Sequence, residues 1–442
     1  MRSRSSARGS SAVSFACLLV VMPLAAQESA AAKGLVYGPF VGHCDDDTIH
    51  LWARAQDPGD YTLVLTQKGR DDLPGGADAA SEADGLALTF RVDGLRGRGS
   101  EPFGFRLLRG DVEVARSDAA SLRTAMPDDA KAAKIAFGSC AEERKQDELP
   151  LWGHLLAGNP DALVLLGDTP YIDNTKLAVQ RDRYREFYAH PSIAHVLRSV
   201  STYATWDDHD YSLNDRYGDV RGRNESRQAF VENHALASFG ENGEGIYTRF
   251  RRGPIEVFVL DARWFADTSD SPLAPGHRTL LGERQLEWLR RGLLASTAPF
   301  KVLCCGLVWN GAVRANKKDT WATWAAERDA LFAFLGEHRI GGVVLVSGDL
   351  HVTRLLHHPT LALCGYDLPE FVTSPMSATP IPANAGAHDG DRFTAAVAST
   401  YLVLEATSAT AEPRLSVRFC DAAGGRLHFA SYALSNLQPA TK

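Results

Sequence analysis

The sequence predicts an α/β domain that is preceded by a smaller all-β domain. A chain of 442 residues is too long for one ordinary hydrophobic core, so two domains are expected. Short strand-like runs separated by Gly, Pro and Asp clusters fill the first part of the chain. After a plausible linker at residues 126–133, apolar strand-like runs alternate with helical stretches, which is typical of a layered α/β domain.

The first 26 residues are typical of a secretory signal peptide. Three arginines among the first eight residues give a basic start, and the segment from Ala12 to Ala26 is apolar and rich in small residues. This run is too short to span a bilayer comfortably. We therefore expect residues 1–26 to be a signal peptide and the mature protein to be secreted, in the periplasm or outside the cell. A retained membrane anchor is the alternative.

Residues 33–125 are predicted to form a β-sandwich of the fibronectin-III-like kind. The segment Thr48–Arg54 alternates apolar and polar residues, as a half-buried strand does. Turn-forming clusters, including Asp57–Gly59 and Pro74–Gly76, separate such runs. Further strand-like runs follow at Tyr61–Thr66, Leu86–Val92, Phe103–Leu108 and Val112–Ala115.

Residues 131–436 are predicted to form the second domain, which is α/β. Strand-like runs lie at Lys134–Phe137, Ala162–Leu166, Ser201–Thr205, Ile255–Leu260, Lys301–Leu307 and Gly342–Val346. Helices are predicted at Glu148–Leu156, Leu177–Tyr188, Ser226–Ser238, Glu283–Leu294 and Trp324–His338. The segment Thr400–Leu434 returns to strands.

Polar clusters directly follow several apolar runs of this second domain. Ligands of open α/β sheets bind outside the carboxyl ends of the strands, so these clusters are expected to converge. Their thiolate, carboxylate, phenolate and imidazole groups are metal ligands. Two neighbouring metal ions suit phosphoryl transfer. The clusters are Gly138–Cys140, Gly167–Tyr171, Trp206–Asp210 and Ser347–His351.

Each cluster also has a simpler interpretation when it is taken alone. A Gly-Asp pair after a strand is commonly a turn, and residues 207–210 are compatible with a solvated loop or an isolated calcium loop. Cys140 alone would be a buried structural thiol. The joint occurrence of the clusters, each after a strand, favours a shared site.

The order of these motifs resembles the calcineurin-like metallophosphoesterase superfamily. Tyr171, three residues after Asp168, is similar to the corresponding element of purple acid phosphatases. The fuller resemblance is to the alkaline phosphatase D family, and it covers nearly all of the mature chain. It is carried by Phe137–Cys140, by Trp206–Asp210 with Asn214-Asp215, and by Ser347–His351. The resemblance implies a four-layer α/β/β/α domain after the N-terminal sandwich.

The resemblance also implies a ligand set for two metals. Asp168 would bridge them, while Cys140, Tyr171 and His351 would complete a first site for Fe³⁺. A second site for Ca²⁺ would be formed by Asp208, Asn214 and Asp349 with the bridging carboxylate. Other divalent metals remain alternatives. The wider superfamily usually has His where this chain has Asp349, so the second metal is not transferable from other branches.

Other residues are predicted to act on the substrate. Asp208, a ligand of the second metal, is also counted among the catalytic residues. His209 is assigned to leaving-group protonation because a histidine can titrate near the working pH. Arg263 and Arg314 offer planar guanidinium groups for phosphate oxygens. For both arginines, an ion pair in the core or on the surface is the alternative.

Together these features predict a secreted, metal-dependent phosphoesterase acting on a small phosphate-ester substrate with metal-activated water. A phospholipase-D-like hydrolase acting on membrane lipid head groups is the first alternative. A non-catalytic metal-binding surface protein is the second. The formal net charge of −7 argues against a nucleic-acid-binding surface.

Overall fold

The computed structural model describes residues 34–98, 102–145, 150–311 and 317–439. The predicted signal peptide at residues 1–26 and Arg314 lie outside the described residues. Among the described residues, none of the helices combines the length and apolar character needed to cross a membrane.

The N-terminal part of the chain folds into two antiparallel sheets. One sheet has the strand order β1-β2-β5 and the other has the order β4-β3-β6-β7. They enclose a hydrophobic core of their own, to which Leu51, Leu63 and Phe90 belong. The strands are β1 Leu35–Cys44, β2 Ile49–Ala55, β3 Gly59–Thr66, β4 Leu73–Ala80, β5 Ala87–Val92, β6 Phe103–Arg109 and β7 Val112–Leu122.

The strands of the rest of the chain form two larger sheets. The six-stranded sheet contains β8 Ala132–Gly138, β9 Ala162–Leu166, β10 Thr202–Thr205, β18 Tyr401–Thr407, β19 Arg414–Cys420 and β20 Arg426–Ala433, in the order β10-β9-β8-β18-β19-β20. The seven-stranded sheet contains β11 Thr248–Arg252, β12 Ile255–Val259, β13 Phe300–Cys304, β14 Val343–Ser347, β15 Thr353–His357, β16 Pro369–Val372 and β17 Asp391–Ala395, in the order β11-β12-β13-β14-β16-β15-β17.

Helices connect many of these strands. The α-helices are α1 Pro150–Ala157, α2 Leu177–Ala189, α3 Pro191–Leu197, α4 Asp208–Tyr211, α5 Arg223–Glu232, α6 Gly282–Ala295, α7 Ala325–Glu337 and α8 Leu361–Cys364. Short 3₁₀ helices lie at Glu143–Lys145, Trp321–Trp324, Pro382–Ala385 and Leu434–Leu437.

The two larger sheets face each other across a common hydrophobic core. Phe371 of β16 and Phe419 of β19 place their ring centroids 6.4 Å apart, which joins one sheet to the other. On the seven-stranded sheet, Trp288 of α6 packs edge-on against Phe258 of β12 at 5.9 Å. The prediction of a mixed α/β fold preceded by a β-rich region is thereby confirmed.

Some local predictions were wrong at their boundaries. The helix predicted to begin at Ser226 begins at Arg223 and ends at Glu232. Pro74–Gly76, predicted as a turn, lies inside β4. This strand is at the edge of its sheet, where a proline without a backbone N–H is tolerated. The last residues of the predicted linker already belong to β8.

The N-terminal sheets dock onto the larger α/β part through aromatic side chains of β1 and β2. Tyr37, Phe40 and Trp52 are buried in the larger core rather than in that of their own sheets. All of them pack against Tyr188 of α2, with ring centroids 5.7–6.0 Å apart. The Tyr37 hydroxyl donates to Asn233 Oδ1 at 2.5 Å. The two parts of the chain therefore share one apolar interface.

Candidate metal centre

The four polar clusters lie where the sequence pattern predicts, directly after β8, β9, β10 and β14. Backbone hydrogen bonds join these strand ends to one another and to neighbouring loops. The Cys140 N–H donates to the Gly167 carbonyl at 3.2 Å, and the Ala378 N–H donates to the Cys140 carbonyl at 3.0 Å. The Asp173 N–H donates to the His209 carbonyl at 2.9 Å. The three clusters that follow strands of the six-stranded sheet therefore converge on one place.

Glycine is required at two positions for this convergence. Gly167 has a φ of +87°, and a Cβ there would lie 2.3 Å from the backbone nitrogen of Asp207. A Cβ at Gly306 would lie 2.5 Å from the Asp207 carboxyl carbon. Any other residue would push the strand ends apart.

Four of the predicted ligands occupy the left-handed region of backbone conformation. The φ angles are 56° at Cys140, 54° at Asp168, 63° at Asp349 and 53° at His351. Such conformations are uncommon for residues other than glycine and cluster at functional sites. They turn each side chain sharply from the direction of its strand.

Cys140, Asp168 and His351 form one group that can hold a cation, with one ligand atom from each lying within 4.8 Å of the others. The Cys140 Sγ is 3.5 Å from Asp168 Oδ2. The Tyr171 hydroxyl lies 2.8 Å from His351 Nε2, which adds the predicted phenolate to the same group. The other ring nitrogen of His351, Nδ1, is 2.6 Å from the Thr379 carbonyl. Donation to that carbonyl leaves Nε2 as the nitrogen available to a metal.

A second acidic region adjoins this group. Asp207, Asp208 and Asp349 bring carboxylate oxygens within 4.8 Å of one another, and Asp208 forms a further group with Asp215 and Asp319. Asp208 also lies within that distance of Asp168 and His209. It therefore connects the two regions.

Asn214, the remaining predicted ligand, is exposed in the turn after α4. Its neighbour Asp215 supplies the oxygen of the acidic group just described, and the Asp215 N–H donates to Asp208 Oδ2 at 2.5 Å. A role for Asn214 in metal binding stays a prediction.

The electrostatics of the site fit a bound cation. Asp168 Oδ1, Asp207 Oδ2 and Asp208 Oδ1 are buried and receive no hydrogen bond from any described residue. Burial, together with the nearby Cys140, raises the pKa of Asp168 well above its ordinary value. Burial likewise raises the pKa of Cys140 to about 11. Buried carboxylates and a thiol in this arrangement ionise readily only beside a positive charge, which a metal ion supplies.

The structure contradicts the prediction that Arg263 contacts phosphate. Its side chain is fully buried, and Nε donates to Asp207 Oδ1 at 2.7 Å. One terminal nitrogen donates to Asp319 Oδ1 at 2.8 Å, and the other donates to Asp319 Oδ2 at 2.9 Å and also to Asp207. The ion pair, which was the alternative, is what forms. Arg263 thus fixes Asp207 and Asp319, two carboxylates of the acidic region, in place.

Lys317 was missed by the sequence analysis and enters the acidic region. Its Nζ lies 3.0 Å from Asp349 Oδ2 and 3.4 Å from Asp215 Oδ1. Burial disfavours its charged form, but Asp349 and Asp319 outweigh this effect, so the pKa of Lys317 is raised. Lys317 and Asp319 lie about ten residues beyond the predicted run Lys301–Leu307, which is too far from a strand end for that signal to indicate them.

His209 lies at the rim of the site, on α4, beside Tyr171 at a ring-centroid distance of 4.7 Å. Its Nδ1 is 2.6 Å from Asp173 Oδ1. Burial lowers the pKa of His209, but the hydrogen bond with Asp173 and the charge of Asp208 raise it by more, so the net shift is upward. Asp173 was also missed, and its short contact with His209 fixes the orientation of the imidazole.

Comparison with known proteins shows the class to which this fold and site belong. A model of the PhoD-like phosphatase family matches residues 135–413, so the chain belongs to that family. Among curated proteins, it is similar to alkaline phosphatase D of Bacillus subtilis (strain 168), with 28% identity over 269 residues. That match covers 50% of this chain and 46% of the relative, so it spans about half of the relative's length.

Solved structures support the fold. A structure of PhoD is similar with a TM-score of 0.73 at 18% identity, and the similarity covers 94% of each chain. A purple acid phosphatase, PPD1, from yellow lupin seeds is similar with a TM-score of 0.65 at 11% identity, covering 93% of this chain and 78% of that one. The predicted resemblance to the alkaline phosphatase D family and to purple acid phosphatases is thereby confirmed.

Proposed function

We propose that the protein is a metal-dependent phosphoesterase that hydrolyses phosphate esters at a binuclear site. The proposal rests on two adjoining groups of side chains that can each hold a cation, Cys140–Asp168–His351 and Asp207–Asp208–Asp349. The chain that carries them belongs to the PhoD-like phosphatase family. Two neighbouring metals clamp phosphate oxygens and lower the pKa of a bound water, which is the chemistry that phosphoester hydrolysis needs.

The donor atoms favour different metals in the two regions. Thiolate, phenolate and imidazole from Cys140, Tyr171 and His351 suit a transition metal, and we propose Fe³⁺ there. Carboxylate oxygens of Asp208 and Asp349 suit a hard cation, and we propose Ca²⁺. Asp168 lies in groups with residues of both regions and is proposed to bridge the two ions.

The residues around the metals have separate proposed roles. His209 is proposed to protonate the leaving oxygen, because its pKa is raised and it stands at the open rim. Asp173, hydrogen-bonded to His209 Nδ1, would present the opposite nitrogen, Nε2, to the substrate. Neither role requires the buried ion pairs of Arg263 with Asp207 and Asp319 to move.

A groove of about 380 Å³ next to Asp173 would take the alcohol part of the ester. Its walls combine the exposed Arg216 and Arg221 with the apolar Leu213 and Val220. The phospholipase-D-like alternative stays a second candidate, although one exposed apolar side chain such as Leu213, at 50%, does not by itself favour it. Hydrolysis of phosphatidylcholine vesicles, compared with bis(nitrophenyl) phosphate, distinguishes the two: activity on the small ester alone excludes the lipid alternative.

The proposed function is tested by removing the bridging carboxylate. Asp168→Asn is expected to lose both metals, as measured by elemental analysis. It should therefore also lose hydrolysis of bis- and mono(nitrophenyl) phosphate. Asp182→Asn, at an exposed aspartate on α2 that pairs with surface Arg185, is the matched control and should keep the metals and the activity. An Asp168→Asn variant with full metal content and full activity would overturn the proposal.

Two further parts of the organisation are proposed rather than observed. Residues 33–125 would be the sandwich domain and residues 131–436 the catalytic domain. Residues 1–26 would direct export, with the protein acting in the periplasm or outside the cell. Amino-terminal sequencing of the mature protein tests the export proposal, which predicts a start downstream of Ala26.

A further inference from the structure

The acidic region of the metal centre contains a lysine of the protein itself. The Lys317 ammonium lies between Asp349 and Asp215, at 3.0 Å and 3.4 Å, and only 6% of its side chain is exposed. A charged lysine this well covered needs the carboxylates that surround it. Lys317 is thus an integral part of the acidic region in this structure.

The two partners of Lys317 belong to groups of carboxylates that can hold a cation. Asp349 groups with Asp207 and Asp208, and Asp215 groups with Asp208 and Asp319. The ammonium therefore contacts one carboxylate of each of these two groups, and the group that contains Asp349 is the one proposed to hold the second metal. By contrast, no ion pair joins Asp168 to a lysine or arginine among the described residues, so the first site has no comparable neighbour.

The other buried cation of the region is held differently. All the guanidinium nitrogens of Arg263 donate to Asp207 and Asp319, which fixes a planar group in place. Lys317 carries a compact charge on a flexible stem of methylene groups, which can leave and return without rebuilding a hydrogen-bond fork. Of the two cations, Lys317 is the one able to give way to a metal ion.

We propose that Lys317 is an internal competitor of the second metal. Its ammonium neutralises Asp349 and Asp215, and it must leave Asp349 when a divalent cation binds there. The inference rests on the proposed binuclear function. It makes the second metal weakly held and readily exchanged, whereas the first metal binds without such competition.

Calcium titration of the iron-loaded protein by calorimetry tests this proposal. Lys317→Met removes the charge and keeps much of the apolar stem, and it is expected to bind the second metal at least about tenfold more tightly, equivalent to about 1.4 kcal/mol. Lys318→Met, at the exposed neighbouring lysine, is the matched control and should bind like the wild type. The calcium-induced rise in unfolding temperature should also be larger for Lys317→Met than for the wild type or Lys318→Met.

Lys317→Gln provides a second neutral variant if the methionine variant folds poorly. Unchanged or weaker calcium binding in both neutral variants would overturn the proposal. Calcium binding that tightens as expected in a protein that hydrolyses no phosphate ester would support the competition and refute the proposed function. Hydrolysis that needs no second metal in the wild type and the variants would overturn the binuclear part of the proposed function, while the calcium affinities still decide whether Lys317 competes.

Discussion

Replacing Arg263 by methionine should destabilise the protein strongly without a direct effect on substrate binding. The guanidinium is fully buried, and its nitrogens are all hydrogen-bonded to Asp207 and Asp319, whose side chains are 1% and 2% exposed. Methionine cannot neutralise those carboxylates. The substitution removes the cation and leaves the two buried carboxylates in place without a partner.

The expected size follows from the behaviour of buried ion pairs. Removing one partner of such a pair costs about 3–5 kcal/mol, because an uncompensated charge stays in the interior. Arg418→Met is the matched control: its pair with Glu405 is 3.4 Å long, with both side chains at least 40% exposed. Exposed pairs contribute about 0–1 kcal/mol. Arg263→Met should therefore lower the free energy of unfolding several times more than Arg418→Met does.

Denaturant unfolding of the metal-free protein, followed by tryptophan fluorescence, measures this difference. The buried Trp309 and Trp321, stacked with ring centroids 4.2 Å apart, report on the region next to Asp319. Adding Asp207→Asn and Asp319→Asn to Arg263→Met should recover part of the loss, since the two carboxylates that lost their arginine partner are then neutral. An Arg263→Met variant that unfolds at the wild-type midpoint but has a raised KM would show that Arg263 contacts phosphate, and the reasoning would be refuted.

Three further outcomes are expected. His209→Ala should keep its metals, measured by elemental analysis, and lose about 10²–10⁴-fold in kcat, the usual size for a general acid; loss of the metals would contradict the proton-transfer role. Tyr171→Phe in iron-loaded protein should shift or bleach the visible charge-transfer band, and an unchanged spectrum would exclude the phenolate as a ligand. Trp52→Ala should lower the free energy of unfolding by about 3–5 kcal/mol, since Trp52 is 1% exposed at the interface of the two parts. Val112→Ala, at a 65% exposed position, is its control in denaturant unfolding.

The parts of the site that were predictable are those with a local signal. Cys140, Asp168 and His351 each follow an apolar run within a few residues, and the rule that ligands gather at the carboxyl ends of strands brings them together. The strand-end rule needs only the sequence near each residue. The distances between the three side chains depend in addition on the order of strands in the two facing sheets, which only the structure shows.

The parts that were not predictable depend on contacts between residues far apart in the chain. Arg263 pairs with carboxylates 56 residues away on either side, so its role could not be decided from its own neighbourhood. Lys317 and Asp319 lie in a loop that has no periodicity, and only the folded chain brings them to Asp349 and Arg263. The same holds for Trp52, because the alternating pattern places it on the strand face of His50 and Arg54, and only the folded chain buries it against Tyr188.

The backbone of the site bears on how metals bind. A left-handed conformation at a residue other than glycine costs on the order of 1–3 kcal/mol, and Cys140, Asp168, Asp349 and His351 all adopt it. The surrounding structure sustains this strain through hydrogen bonds such as Ala378 N–H to the Cys140 carbonyl and through the packed core beneath the strand ends. The ligands of the first metal converge on this constrained backbone, so we expect ion binding there to require little rearrangement of the backbone. At the second position the rearrangement falls on one flexible side chain, Lys317, so the cost of binding is set by charge competition rather than by strain.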